Sequence, residues 1–313
     1  MKVAVVGAGY WGENLVRVFY ELGALEMICD IDKNRINQLR RVYPSVFFTS
    51  RFDDVLSSSV EGVVISTPAS THHELVKKAL LCEKDVFVEK PLSLSKAEAE
   101  ELVSISDEKK AILMVGNILH YHPAYVRLKE IVEDGAIGDI LYIYTRRLNL
   151  GRVEKERNVL WGLAPHDVSL ILDILKEKPE RLDSFIHEGT DMLDSAWISM
   201  DFPSNRKAQI FVSWLYPFKE QKFVVVGEKM MALFDDCADW NEKLKIYGYS
   251  MKKNERISLQ KKALFKVDIK QKEPLKEECK QFIRCVQNRE RPETDGKNMI
   301  DVVSIIEKCA KSG

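Results

Sequence analysis

The 313-residue sequence contains no apolar run approaching the roughly 20 residues that a membrane-spanning helix needs, so no transmembrane helix is expected. Net charge is almost absent as well. With 47 Lys and Arg against 48 Asp and Glu, the formal balance is -1, and nothing electrostatic points to nucleic acid or an anionic membrane. The six cysteines form no Cys-x-x-Cys pair and no other metal-ligand spacing. Several lie within apolar runs, where a reduced thiol behaves as a small hydrophobe, which favours a reducing cytoplasm over a disulfide-rich secreted setting. His120-Tyr121-His122 resembles half of a metal site, but no Cys or Glu stands at ligand spacing to it, so no metal is expected. The first residues lead into glycines and then Glu13 and Arg17, not into a long apolar region with a cleavage site, so this start is expected to be structural. No internal repeat or low-complexity tract is visible.

What remains is a globular composition, 45% hydrophobic and 30% charged, at a length that accommodates two domains, each with its own core. The first third alternates short apolar runs (Lys2 to Val6, Leu25 to Cys29, Val46 to Phe48, Gly62 to Ile65, Val86 to Val88, Ile112 to Val115) with helical patterns. Leu15, Phe19 and Leu22 share one helix face, with Gly23 as a stop. Thr71 with Glu74, and Ser95 with Glu98, have the spacing of capping boxes. Short buried strands alternating with helices predict an α/β Rossmann domain, a doubly wound parallel sheet, over residues 1–120. The pattern then changes. Ala124 to Glu133 and Pro165 to about Leu175 read as helices, and Ile140 to Leu150 as a long strand. Arg181 to Val226 reads as successive strands with polar turns, Lys243 to Lys272 as solvated strand and loop, and Leu275 to Val286 and Asn298 to Cys309 as closing helices. Residues 121–313 are therefore expected to form an α+β domain with a largely antiparallel open sheet.

Gly7-Ala8-Gly9-Tyr10-Trp11-Gly12 fits Gly-x-Gly-x-x-Gly. Gly7 permits a tight turn, Gly9 lets backbone approach a pyrophosphate, and Gly12 lets the helix pack closely on the strand. The motif follows a strand, opens an amphipathic helix, and lies 18 residues before Asp30 at the end of the next strand, which is the context the fingerprint requires. The following helix presents free N–H groups and its positive end to phosphates. Tyr10 and Trp11 are expected to contribute backbone donors. A carboxylate at Asp30 suits ribose hydroxyls and repels a 2′-phosphate, favouring NAD over NADP, while Lys33 and Arg35 nearby read as an exposed helix start.

Together with this loop, Thr67-Pro68 followed by His72, Glu89-Lys90-Pro91 after the fifth strand, Val115-Gly116 leading to Pro123, and Pro274-Leu275, Phe282 and Asp295-Gly296 resemble the Gfo/Idh/MocA family of NAD(P)-dependent oxidoreductases along nearly the whole chain. Arg147-Leu148-Asn149-Leu150-Gly151 and the stretch from Asn158 to Asp167 resemble its UDP-N-acetyl-hexosamine and UDP-uronate 3-dehydrogenase branch. The resemblance implies that Lys90 lies between nicotinamide and substrate and that His166 is the catalytic histidine. An imidazole whose ordinary pKa lies near neutrality suits a general base, and an ammonium stabilises developing alkoxide character. Thr67, Pro68, His72 and Glu89 are then expected along the dinucleotide. Trp161 belongs either near the nicotinamide or in the sugar pocket. Tyr121, Arg147 and Asn149 are candidate substrate contacts, Arg147 through its planar fork toward a phosphate or carboxylate.

One position departs from the pattern. The family commonly carries an aspartate four residues before its histidine, and this chain has Gly162 there. Restoring it by Gly162→Asp is expected to preserve folding and to keep or raise the rate. The implied function is an NAD-dependent sugar dehydrogenase, taking hydride from a secondary hydroxyl, C3, of a UDP-linked N-acetyl-hexosamine or its uronate. A dehydrogenase of a free sugar or inositol is the enzymatic alternative, and a non-catalytic NAD-binding sensor or subunit the other. A homo-oligomer, dimer or tetramer, is expected because an open sheet needs one face covered.

Overall fold

The computed structural model describes residues 1–150, 158–188, 193–253 and 257–312. Gly151, part of the branch-like stretch, lies outside them. The chain divides into two compact units, Met1–Tyr121 with Glu273–Ser304, and His122–Lys272 with the residues from Ile305 onward.

The first unit alternates β1 (Val3–Val6), α1 (Gly12–Glu21), β2 (Leu25–Cys29), α2 (Lys33–Val42), β3 (Phe47–Thr49), α3 (Phe52–Leu56), β4 (Gly62–Ile65), α4 (His72–Leu81), β5 (Asp85–Glu89), α5 (Lys96–Lys109) and β6 (Leu113–Gly116). The strands pair in parallel in the order β3-β2-β1-β4-β5-β6, the doubly wound arrangement of a Rossmann sheet. All residues of β1 and β4 are buried, which explains why they read as unbroken apolar runs. Ser95 caps α5 by accepting the Glu98 N–H at 3.3 Å. Thr71 does not cap α4. Its hydroxyl instead donates to the Pro68 carbonyl and meets Thr67 Oγ1, each at 2.7 Å, because a local partner competes for it.

The second unit contains α6 (Pro123–Glu133), β7 (Ile140–Leu150), α7 (Val159–Leu175), β8 (Arg181–Glu188), β9 (Leu193–Asp201), β10 (Lys207–Ser213), β11 (Leu215–Gly227), β12 (Met230–Asp235), β13 (Leu244–Lys253) and β14 (Ile257–Lys266). Its eight-stranded sheet runs β14-β13-β12-β11-β7-β10-β9-β8, with β7 and β10 parallel and the other neighbours antiparallel. Helix α7 begins at Val159, a turn and a half before the expected Pro165, because the Asn158 side chain accepts the Trp161 N–H at 3.1 Å. Pro165 then sits inside the helix and cannot donate to the carbonyl one turn earlier.

Two helices complete the chain, α8 (Pro274–Asn288) and α9 (Gly296–Ser312). The expected division at residue 120 is corrected here: Tyr121 and residues 273–304 belong to the first unit. The apolar stripe of α8 (Leu275, Cys279, Phe282, Val286) joins the core around Phe19 and Phe87. Phe282 packs edge-on against Phe87 at 5.7 Å and against Phe19 at 6.4 Å. Among the described residues no helix is long and apolar enough to cross a membrane.

Candidate active site

In the first unit, the glycine loop is dictated by the chain itself at two positions. Gly7 has φ +85°, and a Cβ there would lie 2.8 Å from Thr67 Cγ2. A Cβ at Gly12 would come within 2.0 Å of the Gly7 carbonyl oxygen, so α1 cannot begin where it does with any side chain at that position. A Cβ at Gly9 would meet nothing within 4 Å, which puts this backbone on the open side of the loop. No side chain caps α1, whose first turn opens beside these glycines. Tyr10 is 85% exposed and Ile31 90% exposed, an apolar pair flanking the loop and the end of β2.

Asp30 holds the loop from beneath. One carboxylate oxygen accepts the Ala8 N–H at 2.6 Å and the other the Asp32 N–H at 2.8 Å. A carboxylate has about four acceptor positions, so it retains capacity for ribose hydroxyls while being fixed in place. Arg35 is not an idle helix-start charge: its Nε donates to the Ala8 carbonyl at 2.6 Å and its guanidinium pairs with Glu13. An exposed backbone loop, an uncapped helix start and an oriented carboxylate fit a dinucleotide.

At the ends of β4 and β5, Glu89 accepts from the Trp11 indole N–H, linking the strand that carries Lys90 to the glycine loop. Gly116 lies close against it, since a Cβ there would sit 3.0 Å from the Glu89 carboxyl. The Lys90–Pro91 peptide is cis. His72, expected along the dinucleotide, is instead enclosed at 1% exposure, with ring nitrogens 2.7 Å from the Pro91 carbonyl and 2.8 Å from the Thr67 carbonyl. Tyr121 is also turned inward. Its hydroxyl donates to Gln281 Oε1 at 2.6 Å and lies 2.9 Å from Thr294 Oγ1, and burial raises its pKa well above the phenol range.

Sequence reasoning missed Glu278 of α8. It is fully buried, and neither carboxylate oxygen has a hydrogen-bond partner among the described residues. Burial, and then the charge of Glu89, push its pKa well above the carboxylate range. The signal was present in the sequence: Glu278 falls between Leu275 and Phe282 on the apolar face of an amphipathic helix.

In the second unit, Trp161, Gly162 and His166 lie on the partly exposed face of α7, with Gly162 and His166 one turn apart. Asp167 points the other way and is fully buried. Both of its oxygens receive the fork of Arg147, at 2.8 Å to Nε and 3.1 Å to Nη2. Burial works against the Arg147 charge, and Asp167 more than offsets it, so the guanidinium is held protonated. The fork proposed for a substrate anion is thus occupied within the protein.

Gly162 explains itself. A Cβ built there would lie 2.7 Å from Cζ2 of the buried Trp214, so an indole fills the space above this helix turn. Gly162→Asp, expected to preserve folding and to keep or raise the rate, would have to displace this indole to be accommodated. Strand register shows what surrounds it. Arg147, Val212 and Ala196 form one row across β7, β10 and β9, on the face that Arg147 turns to α7. Two residues further along each strand path come Asn149, Trp214 and Asp194, with the Trp214 N–H donating to the Asp194 carbonyl at 2.9 Å. Asn149 Oδ1 and Asp194 Oδ2 are buried acceptors without a hydrogen-bond partner among the described residues. Neither Trp214 nor Asp194 was singled out from sequence.

Comparison with known proteins agrees with both halves. The profile of the oxidoreductase family GFO/IDH/MocA, NAD-binding Rossmann fold, matches residues 1–117, and that of the GFO/IDH/MocA C-terminal domain matches residues 125–233. The 2,7-anhydro-N-acetylneuraminate hydratase of Mediterraneibacter gnavus is 25% identical over 78% of this chain and 70% of its own length. The inositol 2-dehydrogenase of Salmonella typhimurium is 25% identical over 74% of this chain and 73% of its own. The UDP-N-acetylglucosamine 3-dehydrogenase of Acidithiobacillus ferrooxidans is 26% identical over 64% of each sequence. Its solved structure superposes with a TM-score of 0.86 over 99% of this chain and 96% of that one, at 21% identity, a likeness of fold. With its glycine loop, oriented Asp30 and Glu-Lys-Pro turn, the chain belongs to the GFO/IDH/MocA family of NAD-dependent oxidoreductases, enzymes acting on CH–OH groups.

Proposed function

We propose that this chain oxidises a secondary hydroxyl, C3, of a UDP-linked N-acetyl-hexosamine or its uronate. The observation that carries this reading is the stretch Asn158 to Asp167, which resembles the UDP-sugar branch, joined to a relative of that activity similar in both sequence and fold. Bound NAD supplies the hydride acceptor. His166 takes the hydroxyl proton as the C–H bond breaks, and the Lys90 ammonium stabilises the negative charge developing on that oxygen. Thr67, Pro68 and Glu89 line the dinucleotide side, and Trp161 shapes the sugar side. Asn149 Oδ1 and Asp194 Oδ2 are acceptors suited to sugar hydroxyls, since an unpaired buried acceptor gains most from a donor.

The open sheet face bears the aromatic cluster Phe185, Trp197 and Phe211, with Trp197 and Phe211 stacked at 4.5 Å beside a groove of about 450 Å³. A second copy covering this face makes the protein a homodimer or tetramer, and six cysteines without disulfide or metal spacing support a reducing, cytoplasmic setting.

The test is NADH formation with UDP-N-acetylglucosamine, its uronate, free hexoses and inositol. Turnover confined to UDP-sugars is expected, and turnover of inositol or free hexose alone would overturn the assignment. Gly162 motivates the sensor alternative, in which NAD binds and hydride never moves. Loss of turnover in Lys90→Ala with NAD affinity retained excludes it.

A further inference from the structure

We propose that His72 is a positioning residue, held as a doubly protonated imidazolium that fixes the Thr67–Pro68 turn to the Lys90–Pro91 turn. The argument starts from what its partners are able to do. Nδ1 lies 2.7 Å from the Pro91 carbonyl oxygen and Nε2 lies 2.8 Å from the Thr67 carbonyl oxygen. A carbonyl oxygen only accepts, so each of these contacts needs an N–H on the ring. Neutral imidazole carries one N–H. In either neutral tautomer a nitrogen lone pair would face a carbonyl lone pair at hydrogen-bonding distance, with 1% of the residue exposed to solvent that could relieve it. Turning the ring over replaces nitrogen by carbon at both contacts and loses both bonds. Only the imidazolium satisfies both oxygens.

The position of His72 at the start of α4 opposes this slightly, because the helix dipole disfavours a cation there. Enclosure at 1% exposure also disfavours the cation, and it is the two charge-assisted bonds, to oxygens that can only accept, that offset both effects. The charged groups on the surrounding elements are Glu89 and Lys90 at the end of β5, and His73 on α4, which is bonded to Glu101 of α5 at 2.6 Å with Lys77 beside it.

The consequence is mechanical. The two carbonyls belong to the segments that follow the adjacent strands β4 and β5: the Thr67–Pro68 turn, which the proposed function puts along the dinucleotide, and the turn carrying Lys90. His72 ties them together from behind without offering an atom to the ligand. It therefore sets where the Lys90 backbone sits relative to the cofactor turn.

The test uses the full chain labelled with ¹⁵N-histidine. Six histidines are present, and the His72 signals are assigned as those missing from His72→Gln. At a pH where free histidine is neutral, both ring nitrogens of His72 are expected at protonated chemical shifts. One protonated and one bare nitrogen would overturn the proposal whatever the variants do. In parallel, NAD titration of His72→Phe, which keeps the ring shape but has no donors, is expected to show affinity weakened about tenfold or more, with His72→Gln intermediate. NAD affinity of the wild type is expected to decline as pH rises through deprotonation of His72, and this decline is expected to be absent in His72→Gln. Unchanged affinity in His72→Phe would also overturn the idea. None of these measurements involves a sugar, so they stand apart from the substrate assignment.

Discussion

The contact between Gly162 and Trp214 makes a sharp prediction about a residue that sequence comparison alone would treat as a simple loss. In an exposed helix, Gly→Ala stabilises by about 1 kcal/mol. Here the new methyl would sit 2.7 Å from Trp214 Cζ2 and 3.3 Å from Cη2, where unstrained carbon contacts lie near 3.5–4.0 Å. The indole must move by about 1 Å, and it is not free to do so: it is buried, and its peptide N–H is held by the Asp194 carbonyl at 2.9 Å. Overpacking of this kind costs about 1–3 kcal/mol, so Gly162→Ala is expected to destabilise by about 1 kcal/mol net. Trp214→Leu alone removes buried area at a cost of about 3 kcal/mol. In that background the clash is gone, and Gly162→Ala should become stabilising by about 1 kcal/mol, a coupling of about 2 kcal/mol in the double-mutant cycle. Urea denaturation of the four proteins measures it. If Gly162→Ala stabilises the wild type, or has the same effect in both backgrounds, the reasoning is refuted. The same geometry implies that a carboxylate can be restored productively at position 162 only together with a smaller residue at 214.

Three further variants test the buried charges. Glu278→Gln is expected to stabilise at neutral and alkaline pH and to change little in acid. Burial and Glu89 raise the folded-state pKa, so above the unfolded value of 4.5 the folded chain binds the extra proton, and stability falls as pH rises through the folded pKa. The amide has no such proton to lose, and a urea midpoint that falls equally steeply with pH in wild type and variant would contradict this. Asp167→Ala strands the buried Arg147 guanidinium and should cost about 3–5 kcal/mol, whereas Arg147→Met with Asp167→Leu should fold with near wild-type stability in the same assay. A double variant as unstable as Asp167→Ala would show that the pair does more than satisfy itself.

The cofactor half of this protein was legible because its chemistry is written in contiguous residues. Gly7 and Gly12 are demanded by backbone geometry within one loop, and Asp30 closes that loop from the next strand. The parallel sheet was equally legible, since β1 and β4 are buried on both faces and read as uninterrupted apolar runs. Amphipathicity announces that a helix is buried but carries no address, and only the packing of Phe282 on Phe19 and Phe87 joins α8 to the first unit. His72 and Thr71 were misjudged for a related reason: their partners are main-chain carbonyls, Thr67, Pro68 and Pro91, which have no sequence signature.

The substrate half depends on register instead. Asn149 and Asp194 lie near the ends of β7 and β9, and Trp214 directly follows β10 and bonds Asp194 through its peptide N–H. Their neighbourhood is therefore set by how β7, β10 and β9 pair, and a one-residue slip would turn a strand's side chains to the opposite side of the sheet. Gly162 acquires its meaning from the same row, through an indole 52 positions away in sequence. The glycine loop and the Glu-Lys-Pro turn are contiguous in sequence, whereas the surroundings of Gly162 are assembled from residues that look unrelated along the chain. Relatives of similar identity act on an inositol, an anhydro-sialic acid and a UDP-sugar, and under the proposed function substitution of Asn149 or Asp194 is expected to change which sugar this chain accepts, as measured by NADH formation across that substrate panel.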